Sequence, residues 1–419
     1  MLSLSVGRLL HQFSYQTLPT PRTSTYSKPI CHVALGTATR APSVGFYDLL
    51  ETLTVNVQNA ENKALNVPLV RPSTTASSRV DTVKNVGIRL ELSNGCAGWG
   101  EAAILPSATT EDQAIAMAKT RLACEFLIGR PSMGLGLALK EIEDFLPGPD
   151  LASVRAGIEM ALIDAAAKTI GLPLWRLFGG ASDTTTTDIT IPFVSPSKAA
   201  ELASQYYKLG FNTLKIKVGR KANEDVEVLK VVHQIHPSCS LILDANEGYE
   251  PEVAIEVLEK LNKLGITPIL LEQPVSRDNW DGLGYVARIS KEKFGVSVVA
   301  DECCASLSDA KRIVEGNLAH VINIKLAKLG VMGALEIIKE ARMAGLDLMM
   351  GGMVETRLAM GFAGHLAAGL GCFKFIDLDT PFFLAHDPVF GGYEVSGAAY
   401  KFTNSRGHAG FLHWDNLVE

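Results

Sequence analysis

Three acidic residues end apolar runs of similar length and recur at almost equal intervals. Asp244 ends the apolar part of LILDAN, Glu272 that of PILLEQP and Asp301 that of SVVADE, at separations of 28 and 29 residues. Such a separation matches one strand plus one helix, so neighbouring parallel strands would bring the three carboxylates to one edge of a sheet. Converging carboxylates repel and become protonated unless a cation neutralises them. Oxygen ligands without histidine or cysteine favour Mg²⁺ over Zn²⁺, and we expect these acids to be metal ligands.

Lysines on two other apolar runs could supply an acid and a base. Lys215 and Lys217 in TLKIKVG are two residues apart, so that their side chains share one face of a strand. Lys325 in HVINIKL lies 24 residues after Asp301, on what would be the sixth strand of a barrel, across from Lys217 on the second. This placement suits proton transfer by two bases on opposite sides of a substrate. A lysine base needs a pKa lowered by about two to three units, and we expect burial, Lys215 and the metal to lower it.

The apolar runs that carry these residues alternate with helical stretches, which is the pattern of a barrel. Beyond residue 179, short apolar runs alternate with stretches of helical periodicity such as residues 253–264. The eight runs are ITIPFV near residue 189, TLKIKVG at 213–219, LILDAN at 241–246, PILLEQP at 268–274, SVVADE at 297–302, HVINIKL at 320–326, DLMMGGM at 347–353 and FKFIDLD at 373–379. This α/β pattern predicts a (β/α)8 TIM-like barrel with catalytic groups at the carboxyl ends of its strands.

The part of the chain before the barrel predicts a smaller α+β unit. Residues 109–128 and 151–169 have helical periodicity, and Ser93-Asn94-Gly95 indicates a hairpin turn. Strand patterns occur at residues 49–60, 83–93 and 97–101. We expect a small antiparallel sheet packed on helices.

The resulting organisation has a capping domain formed from both chain ends. The part beyond residue 391 has little helical periodicity and is expected to return to the N-terminal sheet. The expected divisions are a transit peptide at residues 1–45, the capping domain at 46–180, the catalytic barrel at 181–388 and the returning C-terminal segment at 389–419.

The first 45 residues differ in composition from the rest. No Asp or Glu occurs before Asp48, whereas four basic residues stand among many Ser and Thr: Arg8, Arg22, Lys28 and Arg40. This composition is typical of a disordered organelle transit peptide. The many hydroxyl residues favour the chloroplast, with the mitochondrion or the cytoplasm as alternatives.

The overall composition is that of a soluble globular protein. The chain has 419 residues, of which 47% are hydrophobic, and its net charge of −6 argues against nucleic acid as a partner. No run of roughly eighteen uncharged apolar residues occurs, so we expect no membrane span. The seven cysteines include no CxxC pair and fit free thiols better than a disulfide framework. A small-molecule substrate is the expected partner, and a homo-oligomer is compatible with the sequence.

The strand ends resemble the signatures of a known family over residues 49–415. Motifs similar to those of the muconate lactonizing enzyme subgroup of the enolase superfamily are Lys215-Ile216-Lys217, Asp244-Ala245-Asn246, Glu272-Gln273-Pro274, Ala300-Asp301-Glu302 and Asn323-Ile324-Lys325. Within this subgroup, dipeptide epimerases of the L-Ala-D/L-Glu type bind the substrate's α-ammonium group with an Asp-x-Asp at the end of the eighth strand. The sequence has Asp377-Leu378-Asp379 at that position.

The resemblance implies a Mg²⁺-dependent dipeptide epimerase that inverts the α-carbon of the C-terminal residue, with the metal binding that residue's carboxylate and a lysine on each side of the α-carbon. One lysine would remove the α-proton to give a metal-stabilised enediolate, and the opposite lysine would return a proton to the other face. The implied roles are acid/base catalysis for Lys217 and Lys325, metal coordination for Asp244, Glu272 and Asp301, and substrate binding for Lys215, Asp377, Asp379, Gly352 and Val354.

One departure from the family pattern concerns the side chain of the substrate. In members that act on Glu, an Arg in the first long loop of the capping domain meets the substrate's side-chain carboxylate. Here Arg79 stands one position late, and Arg71 is the other candidate in that loop. After Lys325 the family's Gly-Gly is reduced to Gly330 followed by Val331. The implied substrates are L-Ala-D/L-Glu or a broader range of L-Ala-D/L-amino acid dipeptides.

Other functions match parts of the pattern. o-Succinylbenzoate synthase and N-succinylamino acid racemase resemble the chain in its acids and lysines, but they bind no free ammonium and need neither Asp377 nor Asp379. A silent barrel that binds a metabolite would have no reason to bury so many charges. Chemistry like that of mandelate racemase would need a His-Asp base, whereas His365 lies in a predicted helix, where we expect it to pack.

Overall fold

The computed structural model describes residues 45–74, 79–105, 109 and 111–417. Apart from Gly45, the predicted transit peptide lies outside the described residues, as do residues 75–78 of the loop before Arg79. None of the helices in the described part of the chain combines the length and the apolarity that a bilayer span requires.

A three-stranded antiparallel sheet in the order β2-β3-β4, packed on helices, precedes the barrel. The elements of this region are α1 (Phe46–Thr52), β1 (Thr54–Val55), β2 (Val57–Thr74), β3 (Arg79–Leu92), β4 (Ala97–Ala102), α2 (Gln113–Ile128), β5 (Met133–Gly134), α3 (Leu135–Phe145), α4 (Ala152–Ile170), α5 (Leu174–Leu177) and β6 (Thr184–Thr186). The predicted hairpin turn joins β3 to β4, and the φ angle of 80° at Gly95 is one that favours glycine.

Helix α1 corrects the strand prediction for residues 49–52. Phe46 and Leu49 are buried three residues apart, which is the spacing of one helix face. Asp48 Oδ2 accepts a hydrogen bond from the Gly45 backbone N–H at 3.0 Å and fixes the start of the helix. The extended chain begins only at β1, so the apolar run combines a helical turn with a strand.

Strand β4 packs against helix α4 at backbone contact distance. A Cβ atom on Gly98 would stand 1.9 Å from the Ala161 carbonyl oxygen, and one on Gly100 would stand 2.0 Å from the Gly157 carbonyl oxygen. Glycine at these two positions is therefore required for the approach of sheet and helix.

Eight parallel strands follow the predicted order and curl into a sheet that matches the predicted (β/α)8 barrel. They are β7 (Ile189–Ile191), β8 (Thr213–Lys217), β9 (Ser240–Asp244), β10 (Leu270–Glu272), β11 (Ser297–Ala300), β12 (Val321–Ile324), β13 (Asp347–Met350) and β14 (Phe375–Ile376). Each strand pairs with the next one in the chain. The Asp188 N–H donates to the Ile376 carbonyl oxygen at 3.0 Å and links the first strand to the eighth. The predicted fold class is confirmed.

Helices between the strands form the outer layer of the barrel. They are α6 (Pro196–Lys208), α7 (Ala222–Ile235), α8 (Pro251–Lys263), α9 (Trp280–Phe294), α10 (Leu307–Gly316), α11 (Leu326–Leu329), α12 (Val331–Met343) and α13 (Arg357–Leu370). Several begin at a side-chain cap, as at Ser195 and Thr356, which accept hydrogen bonds from Lys198 N–H and Leu358 N–H. His365 is buried within α13 and accepts a hydrogen bond from Trp175 N–H at 3.1 Å, so it packs as predicted.

The C-terminal segment contacts the N-terminal sheet through side chains. Its strands are β15 (Val389–Gly391), β16 (Tyr393–Ser396), β17 (Ala399–Phe402) and β18 (Gly410–Leu412). They pair with each other and with β6. Trp414 Nε1 donates to Glu61 Oε2 at 2.8 Å, and its ring lies 5.5 Å from that of Trp99. The return to the N-terminal sheet is thus made by packing and not by an added strand.

Candidate active site

The carboxyl ends of β9, β10 and β11 gather the three acids at one rim. Asp244 and Glu272 are the last residues of their strands, and Asp301 directly follows β11. Parallel pairing sets Glu272 opposite Asp244 on one side and opposite Val299 on the other. All three side chains are fully buried. Burial of three neighbouring carboxylates requires positive charge close to them.

Lys215 supplies part of this charge from the middle of the cluster. Its side chain is only 3% exposed, and its Nζ lies 3.0 Å from Asp244 Oδ2 and 2.9 Å from Glu272 Oε2. The same Nζ donates to Asp377 Oδ2 at 2.6 Å. A single ammonium group from β8 therefore links the ends of strands β9, β10 and β14.

The two lysines predicted to be catalytic stand at different acids. Lys217 Nζ donates to Asp244 Oδ2 at 2.6 Å and to Asn246 Oδ1 at 2.8 Å. Lys325 Nζ donates to Asp301 Oδ2 at 2.5 Å. Both lysines line the same cavity at the barrel mouth, as their strand positions predicted.

Two further side chains hold the acids in place: the sequence analysis missed Lys328 and named Asn323 only as part of a motif, without a role. Lys328 Nζ lies 2.6 Å from Asp301 Oδ1 and also contacts the Asp301 carbonyl oxygen. Asn323 Nδ2 donates to Glu272 Oε1 at 2.8 Å. Asn323 precedes Lys325 by two residues and Lys328 follows it by three, and these two spacings could have indicated their positions.

Neighbouring charges separate the pKa values of the three acids. Burial opposes ionisation of Asp244, but Lys215, Lys217 and Lys325 together hold its pKa well below the ordinary value. Burial likewise opposes ionisation of Asp301, but Lys325 and Lys328 hold its pKa well below the ordinary value. For Glu272, burial and the charge of Asp244 raise the pKa to about 8 against the opposing effect of Lys215. The protein's own cations are therefore enough to favour the ionised form of Asp244 and Asp301. They are not enough to do so for Glu272.

The protein's own side chains raise the pKa of Lys215 and Lys325, so the lowering expected from burial, Lys215 and the metal together stays a prediction. Burial disfavours the charged form of Lys325, but the charges of Asp301 and Glu272 outweigh burial and raise its pKa. The pKa of Lys215 is raised in the same way by Asp244 and Asp377. A lowered lysine pKa requires positive charge beyond that of the protein's side chains.

The oxygen atoms of Asp244, Glu272 and Asp301 fit a divalent cation. Glu272 Oε2 is buried and accepts no hydrogen bond from the described residues, although Lys215 Nζ lies 2.9 Å away. A cation would satisfy this oxygen and favour the ionised form of Glu272. The set contains carboxylate oxygens only, which suits Mg²⁺. These three residues are the predicted ligands, and Asp188, Asp377 and Asp379, described below, form a second group of carboxylates that could hold a cation.

A second group of acids lies where the eighth strand meets the first. One carboxylate oxygen from each of Asp188, Asp377 and Asp379 lies within 4.8 Å of the others. Asp379 Oδ2 accepts a hydrogen bond from Thr190 N–H at 2.6 Å. Burial and the charge of Asp377 raise the pKa of Asp379 to about 7. Asp188 was not predicted, although it directly precedes the first barrel strand, the neighbour of the eighth strand in a closed barrel.

One cavity connects the lysines to the Asp377 and Asp379 carboxylates. Its lining residues are Leu69, Arg71, Pro72, Thr190, Pro192, Lys215, Lys217, Lys325, Gly352, Met353, Val354, Asp377, Asp379, Thr380 and Phe383. Arg71 donates to Tyr206 Oη at 3.0 Å, which tethers its guanidinium group. Arg79, the other arginine considered as a substrate contact, is not among the residues that line this cavity. Its side chain is 64% exposed and forms a surface ion pair with Asp81 at 2.9 Å, because its strand directs it to solvent.

The capping sheet fixes the loop that carries Gly352 and Val354. Asn85 Nδ2 donates to the Val354 carbonyl oxygen at 2.9 Å and to Glu101 Oε1 at 2.7 Å. Glu101 in turn accepts hydrogen bonds from the backbone N–H of Thr356 at 3.0 Å and from its hydroxyl group at 2.6 Å. Two buried side chains of the capping sheet therefore set the position of one cavity wall.

Two family models together match most of the chain. Residues 59–179 match the mandelate racemase/muconate lactonizing enzyme N-terminal domain, and residues 198–409 match the enolase C-terminal domain-like family. The first match covers the antiparallel sheet and its helices. The second covers the seven barrel strands from β8 to β14. It also includes every candidate site residue that follows Pro192 in the chain.

Characterised and structurally solved relatives resemble the chain over most of its length. The L-Ala-D/L-amino acid epimerase of Populus trichocarpa is 63% identical over 422 residues, which cover 99% of this chain and 100% of the relative. The substrate-liganded L-Ala-D/L-Glu epimerase of Bacillus subtilis has a TM-score of 0.81 and 32% identity over 85% of this chain and 99% of its own. A dipeptide epimerase from Enterococcus faecalis, complexed with Mg and L-Leu-L-Tyr, has a TM-score of 0.79 and 29% identity over 85% and 100%.

Metal binding should be visible as stabilisation of the folded state. Mg²⁺ at about 100 times its Kd is expected to stabilise the protein by about 2.7 kcal/mol and to raise the melting temperature measured by scanning fluorimetry. Glu272→Gln should lose this increase because it removes a charged ligand at nearly constant shape. Asp379→Asn, a matched change in the other group of acids, should keep it. An increase lost in Asp379→Asn and kept in Glu272→Gln would place the ion in that other group.

Proposed function

The chain belongs to the enolase superfamily, in its mandelate racemase and muconate lactonizing enzyme group, and from this membership we propose that it is a dipeptide epimerase. The reaction inverts the α-carbon of the C-terminal residue of an L-Ala-Xaa dipeptide. The names of the relatives support this class of isomerase, since the poplar, Bacillus and Enterococcus proteins are all epimerases.

The joint lining of one cavity by two lysines and an Asp-x-Asp pair carries the proposal. Lys217 and Lys325 come from the second and sixth strands, so each can approach a substrate in the cavity from its own side. Asp377 and Asp379 offer carboxylates to a free α-ammonium group. An N-acylated substrate has no cation for these acids and would leave buried negative charge unpaired.

The two lysines move the protons in the proposed reaction. The neutral amine of one lysine takes the α-proton, and the ammonium group of the other gives a proton to the opposite face, so the number of protons in the site is unchanged. Asp377 and Asp379 hold the substrate's ammonium group and keep the α-carbon between the lysines. A Mg²⁺ ion bound by the acids at the ends of β9, β10 and β11 would supply positive charge to the substrate's carboxylate as the α-proton leaves.

The remaining wall of the cavity would receive the side chain of the inverted residue. Leu69, Pro192, Val354 and Phe383 make much of this wall apolar, and Arg71 adds one tethered cation. This mixture supports a broad L-Ala-D/L-amino acid specificity that includes apolar residues as well as Glu. The name of the poplar relative agrees with that breadth.

We further propose that residues 1–45 direct the protein to the chloroplast. Support comes from the acid-free, hydroxyl-rich composition of this segment and from the plant relative, whose alignment covers 99% of the chain.

Deuterium incorporation tests the proposed reaction. With Mg²⁺ in D₂O, the protein should exchange the α-hydrogen of the C-terminal residue of L-Ala-Xaa dipeptides, and NMR should detect both diastereomers. N-succinyl amino acids with the same side chain should react at least about tenfold more slowly, since they leave Asp377 and Asp379 without a cation. Faster turnover of the N-succinyl compounds would contradict the proposal and favour the racemase alternative.

A pair of arginine variants tests the assignment of the side-chain wall. Arg71→Met should raise the KM for L-Ala-L-Glu by about tenfold or more relative to that for L-Ala-L-Leu, because it removes a hydrogen-bond donor to a charged group. Arg79→Met is the matched control and should leave the KM for both dipeptides unchanged. Equal effects of Arg71→Met on the two dipeptides, or a selective effect of Arg79→Met, would exclude Arg71 as the contact of acidic side chains.

A further inference from the structure

Asp188 has an unusual position for an acidic residue. Its side chain is 2% exposed, and neither carboxyl oxygen accepts a hydrogen bond from the described residues. It stands just before β7, and one of its oxygens lies within 4.8 Å of oxygens of Asp377 and Asp379. An ionised carboxylate without donors, beside two other carboxylates, would be very costly in a buried position.

The donors around this group of acids are already used by its other two members. Lys215 Nζ contacts Asp377 at 2.6 Å and is shared with the acids at the ends of β9 and β10. The Thr190 N–H donates to Asp379. The Asp188 N–H donates to the Ile376 carbonyl oxygen in the barrel wall. The acidic neighbours of Asp188 are therefore Asp377 and Asp379. The cation that faces it is Lys215, which also contacts the acids at the ends of β9 and β10.

We propose that Asp188 is a neutral carboxylic acid that donates its proton in a hydrogen bond to Asp377 and positions that carboxylate for the ammonium group of the substrate. Burial first, then the charges of Asp377 and Asp379, raise the pKa of Asp188 well above its ordinary value, against the opposing charge of Lys215.

This protonation state adjusts the charge of the ammonium site. A third ionised acid would add negative charge to a group whose cation, Lys215, is already shared with Asp244 and Glu272, whereas a neutral Asp188 adds none. Asp377 and Asp379 line the cavity, and Asp188 stands behind them. Asp188 is thus a positioning residue that acts through Asp377. The inference rests on the proposed dipeptide epimerase function.

Two substitutions separate a neutral donor from an ionised ligand. Asp188→Asn keeps the shape and offers an N–H donor to Asp377, so kcat and KM for L-Ala-Xaa dipeptides should stay within about threefold of wild type. Asp188→Ala removes the donor and should raise KM by about tenfold or more with a smaller change in kcat. Loss of activity in Asp188→Asn as large as in Asp188→Ala would overturn the proposal, because it would show that the negative charge is required.

An infrared measurement tests the protonation state without turnover. The C=O stretch of a protonated carboxylic acid should be present near neutral pH in the wild type, lose one component in Asp188→Asn and remain unchanged in the surface control Asp81→Asn. A spectrum unaltered by Asp188→Asn would overturn the proposal even if Asp188→Ala fails to fold. If the infrared component is found but free-amine dipeptides are not substrates, the epimerase function fails and the protonation of Asp188 stands.

Discussion

The buried charges at the barrel mouth can exist only because cations and carboxylates from different strands neutralise each other. Lys215 is the centre of this balance, since its ammonium group lies within 3.0 Å of Asp244, Glu272 and Asp377. Removal of one partner from such a cluster would leave an uncompensated charge in the core. The parallel register of the strands sets these distances, so the fold and the electrostatics of the site constrain each other. The raised pKa of Glu272 indicates that the protein's own cations do not fully neutralise these acids, so that one more cation would favour the ionised form of Glu272.

The capping sheet takes part in the same arrangement from outside the barrel. Glu101 is fully buried, and burial raises its pKa despite the hydrogen bonds that Thr356 and Asn85 donate to it. It contacts the first residues of α13, directly after the loop that holds Val354 against the cavity. The contact between β4 and α4, which two glycines permit, determines where Glu101 stands. Sequence features far from the chemistry thus set the width of the substrate cavity.

The barrel and the three acids predicted to bind a metal could be predicted because the pattern repeats. Each apolar run ends in a residue whose side-chain direction follows from strand geometry. For residues outside that repeat, the position of the side chain could not be predicted from strand geometry. Arg71 and Arg79 lie on two long neighbouring strands of the capping sheet, and Arg71 falls in an irregular stretch of their pairing between Pro68 and Ser73 that no sequence pattern indicates. Asp188 acquires its role only when the first strand meets the eighth. The raised pKa of Lys325 depends on all the charges together, so that no single motif indicates it.

The proposed epimerisation requires one lysine on each face of the α-carbon, and single-lysine variants separate the two contributions. Solvent deuterium exchange is followed by NMR on each pure diastereomer of one L-Ala-Xaa dipeptide, with Mg²⁺ present. We expect Lys217→Ala and Lys325→Ala each to stop epimerisation, and each to retain slow exchange of one diastereomer only, the opposite one in the two variants. A Lys325→Ala protein that still epimerises at the wild-type rate, or two variants that exchange the same diastereomer, would contradict the claim.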